Sequence, residues 1–248
     1  MGPEAARRAS GVLATDLEGP RGERLRTVEH WLAAAVGLGI GGVALGCDWA
    51  ELPACGGSAL PIAAALRELT ADGAPALRRW SPAAPLRVVS GDAQAQWLPA
   101  PRGRPGALWV RYRIDFPGSV IGVQEVELEL STPEQFMREV AGARTFTAVE
   151  RLEQVTEARR RGVGAGLGPG DGLVAGASRW LHGEPLRWPD EAARHKVLDV
   201  LGDLGTLGVR PAGTLILDRG GHRLHRLLAR VAAGALGASG NRRRRPGH

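Results

Sequence analysis

The stretch "RHKVLDVLGDLGTLG", residues 194–208, constrains the fold of this chain more than any other. At about 100° per residue His195, Asp199 and Asp203 fall on one stripe roughly 80° wide. Val197, Leu198, Val200, Leu201 and Leu204 occupy most of the remaining circumference. A helix apolar on several sides must be enclosed by other elements, so its polar stripe faces protein or a closed cleft. Buried carboxylates and imidazoles there need partners. His and Asp at i and i+4 can converge on one cation, by the logic of the paired histidines in a helical zinc motif. They can equally form a hydrogen-bonded pair inside a core, and for an isolated H-x-x-x-D that plainer reading is the stronger one. The same stretch holds Lys196, the only lysine beside 31 arginines.

The surrounding sequence supplies elements able to enclose such a helix. "GVLAT" from residue 11 has a short strand pattern. "RTVEHWLAAAVGLG" is a helix with Thr27 as N-cap and glycines 37 and 39 as stop signals. A strand-like "GVALG", a Pro/Gly loop and a helix "PIAAALRELTADG" follow. Residues 76–86 lie in a Pro-rich, aperiodic stretch expected to link two domains. Beyond it "PLRVVS" reads as a strand, and "LWVRYRIDF" and "VQEVELEL" alternate around "PGSVIG" as a hairpin with one wet face. "STPEQFMREVAGA" opens with a capping-box pattern at Ser131, Thr132 and Glu134. The expected class is α+β: two similar domains, residues 1–75 and 87–235, each a mainly antiparallel sheet with helices packed on it. The tail 236–248, with its run Arg242–Arg245, is expected to be disordered.

Several function classes are disfavoured. The net charge of +6 is scattered along the chain rather than gathered into an arginine stripe, so nucleic-acid binding is not expected. The charge-free run 31–47 is 17 residues long with five glycines, too short and too broken to span a membrane. Cys47 and Cys55 read as small buried hydrophobes in a reducing, cytoplasmic setting. "GVGAGLGPGDG", residues 162–172, follows no strand and opens no helix, so it reads as a loop rather than a dinucleotide fingerprint. His182 and His225 read as ordinary surface or core histidines.

Histidines at 30, 195 and 222 stand in contexts suited to a metal hydrolase, which needs three protein ligands, a base for water and an acid for the leaving group. His30, His195 and Asp199 can supply ligands, Glu29 the base and His222 the acid. Glu29 lies in the first turn of its helix, where the dipole favours a carboxylate, and His30 points about 100° away from it.

"RTVEHWLAA", "DFPGSVIGVQ", "EQFMREVAGARTF", "LRWPDEAARHKVLDVLGDL" and "GGHRLHRLL", in this order, resemble the UDP-3-O-acyl-N-acetylglucosamine deacetylases, zinc amidases of lipid A synthesis. The resemblance runs to about residue 235. It implies helices sandwiched between two sheets and a Zn²⁺ ion, with Fe²⁺ the alternative, on His30, His195 and Asp199. It implies Glu29 as general base, His222 as general acid, Asp203 as the partner of His222, and Thr145 as an oxyanion donor. Lys196 and Phe146 match substrate-contacting positions. The implied substrate is a UDP-linked acylated amino sugar, handled by a cytoplasmic monomer close to a membrane surface without a spanning segment. The chain departs from the family in lacking an N-terminal strand-rich segment with G-L-H-(S/T)-G, and in placing Gly56 and Gly118 where the family has Asp and His. A catalytically impaired, truncated relative with a binding role is the alternative that these departures leave open.

Overall fold

A computed structural model describes residues 4–5, 9–11, 13–48, 50–160, 171–181 and 185–242. His182, most of the glycine-rich segment 162–172 and the arginines beyond Arg242 lie outside them. The first half contains β1 (Leu17–Glu18), β2 (Arg24–Leu25), α1 (Glu29–Leu38), α2 (Leu60–Leu69), β3 (Arg79–Trp80), β4 (Leu86–Ser90), β5 (Ala93–Leu98) and β6 (Leu108–Phe116). Then come β7 (Gly122–Glu129), α3 (Pro133–Glu139), β8 (Phe146–Ala148), α4 (Leu152–Arg160), β9 (Leu173–Ala175), α5 (Glu191–Gly205), β10 (Arg210–Pro211), β11 (Gly213–Asp218) and α6 (His222–Arg242).

The chain is α+β, built on a five-stranded sheet in the order β4-β5-β11-β6-β7. Three of its four pairings are antiparallel; β11 enters between β5 and β6 and runs parallel to β6. The expected hairpin is β6–β7, with Trp109 opposite Glu129 and Phe116 opposite Gly122. Its alternation divides the faces: Val110, Tyr112 and Ile114 are buried, while Arg111 pairs with Glu125 at 2.7 Å on the wet side. Val88, Ala95, Trp97, Leu215 and Leu217 continue the buried face across the other strands.

Helices α5 and α6 lie on that face, and α1 packs on α5. Every residue of α5 from Val197 to Gly205 is buried, as its nearly all-round apolar pattern requires. Gly202 makes the α1–α5 contact possible, because a Cβ there would collide with the backbone carbonyl of Glu29. The sheet expected on the far side of the helices is not present among the described residues. Apart from the main sheet, the antiparallel β1–β2 ladder and the parallel β8–β9 and β3–β10 pairs are two-stranded fragments.

Several local expectations are corrected. Thr27 does not cap α1: its backbone is left-handed at φ 57° and its hydroxyl donates to Glu51 Oε1 at 2.8 Å. Thr15 anchors this turn instead, its carbonyl accepting the Val28 N–H at 3.0 Å. Gly37 lies inside α1 against Phe136, and Gly39 alone, at φ 74°, ends the helix. The capping box of α3 is Thr132 with Gln135, one residue beyond the expected Ser131–Glu134 pair. "GVLAT" holds no strand among its described residues, and "GVALG" is exposed and without regular structure. Cys47 is exposed and Cys55 half-buried rather than enclosed. α6 continues to Arg242, through the first part of the expected disordered tail.

Candidate metal centre and active site

Three helices and one strap deliver the site. α1 begins with Glu29 and His30, α5 carries His195, Lys196, Asp199 and Asp203 on successive turns, and α6 begins with His222. The strap 143–148 runs along α5 and is fastened by a buried ion pair: Arg144 donates from Nε to Glu191 Oε1 at 2.8 Å and from its backbone N–H to the same oxygen at 3.1 Å. Its Ala143 carbonyl lies 3.0 Å from His195 Nδ1. Phe146, next along, meets His195 edge-on at 6.2 Å between ring centres. Thr145 lies between them, its backbone N–H bonded to the Gly57 carbonyl at 2.7 Å.

One nitrogen or oxygen from each of His30, His195 and Asp199 lies within 4.8 Å of the others, and all three residues are buried. A carbonyl can only accept, so His195 Nδ1 carries the proton and Nε2 presents a lone pair. That lone pair faces Asp199 Oδ1 at 3.3 Å, and His30 Nε2 faces the same oxygen at 4.0 Å. Burial lowers the pKa of His195 and pushes that of His30 down to about 3, with His195 adding to the shift at His30, so both rings are neutral and His195, protonated on Nδ1, offers Asp199 no proton. Burial works against the Asp199 carboxylate, yet Lys196 and the nearby imidazoles outweigh it and hold the group well below its usual pKa. Asp199 Oδ1 and His30 Nδ1 are buried without a hydrogen-bond partner. Acceptors converging without a proton between them fit a cation. Their 3.3 Å edge also matches the about 3.3 Å expected between neighbouring ligand atoms in a tetrahedral site with bonds of about 2.0 Å.

Glu29 and His222 flank this cluster. Burial, reinforced by the Asp199 charge, pushes Glu29 up to about 7, although His222 opposes it. The Thr15 N–H donates to Glu29 Oε2 at 2.9 Å. For His222 burial opposes the charged form, but Asp203, Asp199 and Glu29 prevail and push it up to about 9. Its Nδ1 lies 2.8 Å from Asp203 Oδ2, which turns Nε2 toward Asp199 Oδ2 at 3.8 Å. A buried carboxylate and a buried imidazole, both raised, the first toward the neutral acid and the second toward the cation, are suited to exchanging protons near neutral pH.

Two participants escaped the sequence reading. Thr15 also donates its hydroxyl to Asp203 Oδ1, across 188 positions. His225 is fully buried and lies 2.8 Å from Asp203 Oδ2. Its place at i+3 from His222 was the available clue.

Residues 3–233 match the family described as LpxC, UDP-3-O-acyl N-acetylglycosamine deacetylase. A UDP-3-O-acyl-N-acetylglucosamine deacetylase from Thermosynechococcus vestitus is 38% identical over 228 residues, 90% of this chain and 74% of that protein. Those of Anaeromyxobacter dehalogenans and Phenylobacterium zucineum are 34% and 33% identical, covering 88% and 94% of this chain and 68% and 76% of their own lengths. With near-complete coverage at this identity, and with the motif residues gathered around one buried cluster, the chain belongs to the UDP-3-O-acyl-N-acetylglucosamine deacetylase family.

Proposed function

We propose that the protein hydrolyses the N-acetyl group of UDP-3-O-acyl-N-acetylglucosamine, giving UDP-3-O-acyl-glucosamine and acetate, as a Zn²⁺-dependent step of lipid A synthesis. The observation that carries this reading is the unprotonated edge between His195 Nε2 and Asp199 Oδ1, with a displaced acid–base pair on either side. His30, His195 and Asp199 would hold the ion. Two imidazoles and one carboxylate suit Zn²⁺, and Fe²⁺ is a second ion that such donors accept. Bound there, the cation supplies Lewis acidity toward water and the acetamide carbonyl.

The chain's own groups do the proton work. Glu29 takes a proton from the attacking water as its oxygen bonds to the carbonyl carbon. His222 Nε2 gives its proton to the amide nitrogen as the C–N bond breaks, so the amine leaves neutral; the acid left behind passes the second water proton to the His222 lone pair and departs as acetate, and Glu29 releases its proton to solvent. Asp203 accepts the Nδ1 proton of His222 and stabilises the imidazolium, whose second, transferable proton is on Nε2. Thr145, on the strap, is assigned the developing oxyanion, and Lys196 with Phe146 the substrate side of the site.

The apolar pattern and length of every helix among the described residues fall short of a membrane span. Work beside a membrane on a UDP-linked acylated sugar, as a cytoplasmic monomer, completes the reading. The test is acetate release from UDP-3-O-acyl-N-acetylglucosamine by the zinc-loaded protein. Failure of that protein to release acetate would favour the impaired, binding-only relative.

A further inference from the structure

Asp203 has no exposed surface and is engaged on both oxygens. Oδ1 accepts the Thr15 hydroxyl, while Oδ2 lies 2.8 Å from His222 Nδ1 and 2.8 Å from His225 Nδ1. The opposite nitrogen of His225, Nε2, lies 2.7 Å from the Tyr112 hydroxyl. Tyr112 stands on the buried face of β6, and burial, with Asp199 and Asp203 adding to it, raises its pKa well above the ordinary phenol value. The phenol keeps its proton. Burial also lowers the pKa of His225, so its ring is neutral and has one proton to place.

These facts give the chain of bonds a direction. Asp203 is a carboxylate and can only accept, so His225 must donate to it from Nδ1. Nε2 is then a lone pair, and it accepts from Tyr112. The two imidazoles, 6.0 Å apart between ring centres, fill the two acceptor positions of Oδ2. With the Thr15 hydroxyl on Oδ1, three donors on the two oxygens fix the plane of the carboxylate.

We propose that His225, backed by Tyr112, is a positioning residue for His222: it holds Asp203 in the orientation that aims His222 Nε2 into the site. The proposal rests on the deacetylase reading for its catalytic consequence, and on geometry alone for the orientation. His222 and His225 are one turn apart at the start of α6, so the helix presents both to the same oxygen. A residue there serving packing alone would need no donor.

The experiment uses the full-length zinc-loaded chain with three variants. His225→Leu fills the space without a donor, His225→Asn restores an N–H close to the Nδ1 position, and Tyr112→Phe removes the hydroxyl that donates to Nε2 and backs the ring. His225→Leu should lower kcat on the order of 10- to 100-fold, with KM within about twofold and zinc content unchanged. His225→Asn should recover most of that loss, and Tyr112→Phe should show a smaller loss of kcat alone. If His225→Leu does not fold, the other two carry the test: Tyr112→Phe must lower kcat while leaving KM, and His225→Asn must stay closer to wild type. Imidazole ¹⁵N spectra supply a second readout, with His225 in the Nδ1–H form and the His222 Nδ1 proton strongly deshielded. That resonance should be lost in His225→Leu and regained in His225→Asn. Wild-type kcat in His225→Leu, or an Nε2–H tautomer at His225, overturns the proposal while leaving the deacetylase reading intact. A wild-type protein without acetate release but with the expected spectra overturns the deacetylase reading and leaves the orientation standing.

Discussion

Lys196 donates from Nζ to Asp199 Oδ2 at 2.6 Å, three residues along the same helix, and its ammonium lies 5.2 Å from the centre of the Phe146 ring. The only lysine of the chain is thus folded onto a candidate ligand carboxylate. It engages Oδ2 and leaves Oδ1 turned to His30 and His195. An ammonium is a compact charge with rotatable donors, whereas a guanidinium is a wide planar fork. Within a space bounded by Phe146 and His195 the two are not equivalent.

Lys196→Arg is therefore expected to keep zinc and thermal stability while losing kcat/KM on the order of 10²-fold, the scale of a misplacement of about 1 Å. Lys196→Ala should be worse. Steady-state kinetics beside metal analysis decide it, and unchanged kinetics in the arginine variant would make the lone lysine incidental.

Purified protein should bind one divalent ion per chain, and His195→Ala should lose it. Chelation should lower the melting temperature, because an ion held only by the folded chain stabilises it by mass action. Protein that retains no zinc after loading and dialysis would remove His30, His195 and Asp199 from the ligand assignment.

Glu29→Gln should keep the metal and lose roughly 10²- to 10⁴-fold in turnover, and His222→Ala should behave alike. In the wild type kcat/KM should rise with pH as Glu29 ionises and fall as His222 loses its proton. A dication beside both groups favours the carboxylate and disfavours the imidazolium, so the metal-loaded protein should show both limbs at lower pH than the values of about 7 and about 9 that the protein groups alone set. Glu29→Gln should flatten the acid limb of its residual activity. A profile with the same acid limb in that variant would assign the base elsewhere.

Gly202→Ala should destabilise the protein by about 1–3 kcal/mol and disturb the metal site with it. The new methyl would meet the Glu29 carbonyl, forcing apart the helices that carry His30 on one side and His195 and Asp199 on the other. Thermal unfolding and zinc affinity should fall together. A variant with wild-type values in both would mean that α1 and α5 can separate without cost to the site.

Local pattern carried much of this fold. The all-round apolar character of residues 194–208 required a central helix, the Val110–Tyr112–Ile114 alternation required a half-buried strand, and the spacing of His195, Asp199 and Asp203 set one stripe. Each depends on intervals within a single element, which fixed helical and strand periods translate into faces. What exceeded one element was not legible. β5, "AQAQWL", alternates too weakly to announce itself, and its place comes from pairing with β4 and β11. Thr15 reaches Asp203 only because the N-terminal segment crosses the start of α1, and His225 becomes more than a core histidine only when Tyr112 on β6 stands behind it. The sequence by itself determined which residues share a helix face and which chemistry they can offer. Tertiary structure alone decided that three helix faces meet around one buried oxygen edge, because burial, charge and the direction of each hydrogen bond depend on neighbours distant in the chain.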